Sequence, residues 1–66
     1  MYIVIEIQKS ADNVMSHLGF SFDTLSEAYN KYYSILAFAA ISEVSVHSAV
    51  LITEEGFVVE NKCFKH

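Results

Sequence analysis

The chain has 66 residues, 53% of them apolar and none of them proline. That composition predicts one domain over residues 1–66 rather than a disordered segment, because disorder needs low hydrophobicity and high net charge. Four lysines, no arginine and eight acids give a net charge of −4, which argues against nucleic acid and anionic membranes as partners, since both draw affinity from cations set against phosphate.

The opening Tyr2 to Gln8 alternates Ile3, Ile5 and Ile7 with Tyr2, Val4, Glu6 and Gln8. Period two in β-branched residues predicts a strand. The isoleucine face is expected to meet the core, leaving Tyr2 and Val4 on the other side. Lys9 to Asn13 is turn chemistry, because Asp and Asn tolerate left-handed backbone. Val14 to Phe22 alternates again, with Val14, Leu18, Phe20 and Phe22 opposed to Met15, His17, Gly19 and Ser21. The two strands are expected to form an antiparallel hairpin, with Gly19 marking a bulge or the close approach of another backbone.

The period then lengthens. Thr24 and Glu27 have capping-box spacing, in which hydroxyl and carboxylate satisfy each other's free amides. From Leu25 to about Ile41 the apolar stripe Leu25, Ala28, Tyr29, Tyr32, Leu36, Ala39 and Ala40 is helical. Phe38 falls off that stripe and is a candidate contact residue. Val44 to Thr53 reads as a strand, Glu54-Glu55-Gly56 as a three-residue hairpin loop with glycine left-handed, and Phe57 to Phe64 as the returning strand. The expected fold is α+β, in the order β-β-α-β-β. It is a four-stranded antiparallel sheet with one helix packed on one face.

No apolar run approaches the roughly 18 residues that span a bilayer. The N-terminus lacks the basic region and cleavage site of a signal peptide, and the single cysteine, Cys63, cannot form an internal disulfide. On these features the chain is expected in the cytoplasm. A domain of roughly this size buries a modest fraction of its surface and usually needs a staple or a partner subunit. A homodimer is therefore expected, joined through the sheet face away from the helix or through strand edges, with Tyr2, Val4, Met15 and Phe38 as contact residues. Another protein is an alternative partner.

Few residues suggest chemistry. If Thr53 pairs with Phe57, His47 falls opposite Cys63 on one face. Such a pair could hold a soft metal or activate the thiol, with His66 as a third ligand. Four ligands are the usual zinc set, so a small buried cysteine and no bound metal or cofactor is the favoured reading. Tyr29, Tyr32 and Tyr33 are expected at the core edge with hydroxyls reaching water. Catalysis ranks last, because a pocket of about 300 Å³ is hard to enclose with one helix.

Several stretches carry a resemblance. The opening Met1-Tyr2-Ile3-Val4-Ile5-Glu6-Ile7-Gln8, the helix segment Glu27-Ala28-Tyr29-Asn30-Lys31-Tyr32-Tyr33, Val46-His47-Ser48-Ala49-Val50-Leu51 and the ending Glu60-Asn61-Lys62-Cys63-Phe64-Lys65-His66 resemble a group of short uncharacterised proteins from Firmicutes of the gut, including phage and mobile-element regions. The resemblance covers nearly the full length and implies a free-standing bacterial protein. It assigns no activity and no functional residue.

Overall fold

The computed structural model describes residues 1–66. Two β-hairpins flank one helix: β1 (Tyr2–Lys9), β2 (Met15–Phe22), α1 (Leu25–Ala39), β3 (Val46–Thr53) and β4 (Val58–Lys65). The strands form one antiparallel sheet in the order β2-β1-β3-β4, so the first strand of each hairpin lies at the centre. The fold is the expected α+β arrangement of β-β-α-β-β.

The two hairpins turn by the same device. In the first, the Ser10 amide donates to the Val14 carbonyl at 2.9 Å and the Asn13 amide to the Ser10 carbonyl at 3.0 Å. In the second, Thr53 donates to Phe57 at 2.9 Å and Gly56 to Thr53 at 2.9 Å. Each three-residue loop ends on a left-handed residue, Asn13 at φ 72° and Gly56 at φ 91°. This conformation costs a side chain with a Cβ about 1–2 kcal/mol, least for Asn and nothing for Gly.

These loops fix the register. Across β1 and β2 the ladder is unbroken, pairing Val4 with Phe20 and Ile5 with Gly19. Gly19 is therefore not a bulge, and a Cβ built on it would meet nothing within 4 Å. Across β3 and β4 the ladder starts as the loop dictates, with Ile52 opposite Val58, but Leu51 then faces Glu60. Val59 is an extra residue, a β-bulge that displaces the rest of β4 by one position.

Helix α1 is capped by Thr24, whose Oγ accepts from the Glu27 amide at 3.2 Å. The same hydroxyl donates to the Glu27 carboxylate at 2.8 Å, so the box closes between side chains. Ala28, Tyr32, Ile35 and Ala39 are buried. Ile35 belongs to the inward stripe, whereas Leu25 and Ala40 are exposed.

The helix packs chiefly over β3 and β1. The core is Val4, Ala28, Tyr32, Ile35, Ala49 and Leu51, with Tyr2, Phe20 and Phe22 packed against it. This reverses the expected faces of β1. Val4 is 0% exposed beneath the helix, and the isoleucines, alternate in the strand, point the other way. Two of the expected contact residues, Tyr2 and Val4, thus lie on the covered side. The cause is register: Val4 is flanked by Phe20 and Leu51, and beside them Ala49 lets the helix approach closely. The 14 Å thickness of the Cα envelope reflects one helix on one sheet, with no third layer.

Candidate functional site

The uncovered face has four crosswise rows. Ile3 lies between Ser21 and Ile52, and Ile5 between Gly19 and Val50. Ile7 lies between His17 and Ser48, and Lys9 between Met15 and Val46. On the outer side of β3, Val58, Asn61, Cys63 and Lys65 complete the rows. The isoleucines and Val46, Val50 and Ile52 are half-buried, shielded by one another. Met15, 66% exposed, and Val58 stand at the margins.

The charges on this face are uneven. Glu6 and Glu60 point to the helix side. Asp12, Asp23, Glu27, Glu43, Glu54 and Glu55 lie in loops or in the helix. None of the eight acids is on the open face, which carries Lys9 and Lys65 together in its last row. Beyond that row stand Asp12 in the β1–β2 loop and Glu43 ahead of β3, and at the opposite end, beyond Ile3, stand Asp23, Glu54 and Glu55. The Met1 ammonium is paired with Glu54 there at 2.6 Å and, through that hydrogen bond, holds the Glu54 carboxyl below its ordinary value. Phe38 is 68% exposed on the helix, on the other side of the molecule from the open face.

Beneath the helix lies one buried polar group. His47, 4% exposed, sits beside Gln8 on β1 and Phe64 on β4. Its Nε2 is 2.7 Å from Glu6 Oε2, and Gln8 Nε2 donates to the same oxygen at 3.2 Å. In this contact His47 Nε2–H faces the carboxyl oxygen as donor, and Nδ1 is left buried without a partner. The sequence offered no sign of this pair, because Glu6 and His47 are 41 residues apart and meet only through the β1–β3 register.

The bulge separates the residues expected to bind metal. Cys63 is exposed and opposite Ser48 on the open face, whereas His47 points to the helix. Register was the condition for their pairing, and one extra residue moves a side chain to the other face. His66 lies elsewhere, its Nε2–H donating to the Ala39 carbonyl at the end of α1 at 2.9 Å while its ring stacks with Phe64. The three do not assemble.

An aromatic cluster and a shallow groove lie on the helix side of the molecule. Tyr29 stacks on Tyr33 with centroids 5.7 Å apart and donates its hydroxyl to Glu60 at 3.3 Å. Tyr32 meets both rings edge-on and belongs to the core. Burial, then Glu60, pushes the phenols of Tyr29 and Tyr32 above their ordinary value. A shallow groove of about 330 Å³ runs between α1 and β2, lined by Phe22, Glu27, Asn30, Lys31 and Ser34. Lys31 Nζ lies 4.1 Å from the Phe20 ring centre beside it.

Comparison of the chain with protein-family models, with curated proteins and with solved structures finds no match. No helix is long and apolar enough to cross a membrane.

Proposed function

We propose that this protein is a homo-oligomeric interaction module in which two copies place the open faces of their sheets together. The observation that carries this reading is the ladder Ile3, Ile5 and Ile7, flanked by Val50 and Ile52, on the face without a helix. A contiguous apolar surface of this kind marks an interaction site. Four strands of eight residues present a face of about 500 Å² by standard strand spacings. Two copies bury about 1,000 Å², the lower bound for a specific interface. The dimer is accordingly weak, forming at micromolar concentration. A binding role is the reading we adopt over a catalytic one, because the prominent feature is a surface and not a pocket. The resemblance to proteins of phage and mobile-element regions supports an accessory role in such an element, in the bacterial cytoplasm.

Sedimentation equilibrium over a micromolar concentration series tests the proposal. The wild-type mass should rise toward twice that of the 7.4 kDa chain, and Ile5→Lys should stay at the single-chain mass with unchanged circular dichroism. A wild-type chain that is monomeric throughout the series contradicts it.

A further inference from the structure

The open face has one polar end and one notch, and each constrains how a second copy can sit. Packed sheets keep their strands within about 30° of alignment, so a face-to-face twofold axis runs either along the strands or across them. An axis along the strands lays the Lys9 and Lys65 row of one copy over the same row of the other. Four ammonium groups on the faces themselves would then crowd one margin between sheets about 10 Å apart, within about one Debye length, offset in each copy by the loop carboxylates Asp12 and Glu43 beyond the same row. An axis across the strands exchanges the ends and sets the two lysine pairs about 20 Å apart. Each lysine row then approaches the end of the partner that carries Asp23 and Glu55.

The notch gives an independent reason for the same axis. Gly19 leaves open space beside Ile5, since a Cβ there would touch nothing within 4 Å. Exchanging the ends brings the third row of β2 over the second, so that the His17 ring of one copy faces the Gly19 notch of the other and Ile7 faces Ile5. The other axis sets Gly19 against Asn61 and His17 against Cys63.

Resting on the proposed face-to-face dimer, we propose that the two copies pair about a twofold axis lying across the strands, with Lys9 and Lys65 reaching the acidic end of the partner and His17 seated in the partner's Gly19 notch. The interface is isologous and closes on itself.

Sedimentation equilibrium on the wild type, Lys9→Gln/Lys65→Gln and Gly19→Val tests it. The double variant should dimerise about five- to tenfold more weakly, as expected for the loss of a few exposed ion pairs. Gly19→Val, which the protomer accommodates, fills the notch and should weaken the dimer about tenfold or more. Either variant dimerising as tightly as the wild type, or more tightly, overturns the orientation while the face-to-face dimer stands. A wild-type dimer that survives Ile5→Lys overturns the face itself, and with it this proposal.

Discussion

Val4 and Ile5 are adjacent in the chain and opposite in environment. Val4 lies wholly beneath the helix beside Leu51, and Ile5 lies half-buried on the bare face beside Gly19. Their substitutions should separate accordingly. Leu51→Ala, in the layer of Val4, should cost about 2–5 kcal/mol in urea unfolding at any protein concentration, as for a truncated core residue. Ile5→Ala should cost less than about 1 kcal/mol below the dimerisation range and clearly more above it. Equal losses at all concentrations for both would show that Ile5 has no partner surface.

The Glu6–His47 pair should couple strongly. Removing one member of a buried hydrogen-bonded pair leaves the other unsatisfied, and replacing both by apolar residues can be nearly neutral. Glu6 retains some solvent contact, so His47→Leu should cost about 1–3 kcal/mol. Glu6→Leu/His47→Leu should be more stable than His47→Leu alone. Additive losses in a double-mutant cycle would show that the pair carries no coupling.

The elements were largely legible in the sequence and the faces were not. Period two, the Thr24 cap and the turn residues located every strand and the helix. The two faces of β1 are both substantially apolar, so hydropathy favoured the three isoleucines as core. The deciding signal was register: carried back from the loop after Ser10, it places Val4 against Phe20 and Ile5 against a glycine. Placing β3 beside β1 is a long-range choice that no local pattern encodes, and the Glu6–His47 contact depends on it. The bulge at Val59 was equally hidden, because Val58 and Val59 are interchangeable in a strand pattern. That one residue decides whether His47 meets Cys63 or Phe64.

The loop ends make a local prediction. Gly56→Ala forces a Cβ into left-handed backbone and should lower stability by about 1–2 kcal/mol. Asn13→Gly keeps a residue suited to that conformation and should change stability by less than about 0.5 kcal/mol. Thermal unfolding of both variants checks this, and an unaffected Gly56→Ala would contradict the shared loop geometry.

Tyr29 and Tyr32 predict an alkaline transition. Burial first and Glu60 second raise both phenols, so the folded chain holds protons that the unfolded chain releases near pH 10. The stability they contribute is complete below that pH and is lost as pH rises through the raised folded values. Absorbance at 295 nm should show two tyrosines ionising late, and Glu60→Gln should move them only part of the way back, because burial remains. A single unperturbed transition would contradict the packing of this cluster.

Methyl NMR with a soluble paramagnetic agent reads directly which surface becomes covered when two copies meet. At high protein concentration the methyls of Ile3, Ile5, Ile7, Val50 and Ile52 should be protected from broadening, while the exposed Val14, just after the first loop, remains broadened. Dilution, or Ile7→Lys, should expose the set together. Equal broadening of the isoleucine methyls at every concentration, in a sample shown by sedimentation to be dimeric, would contradict the open face as the interface.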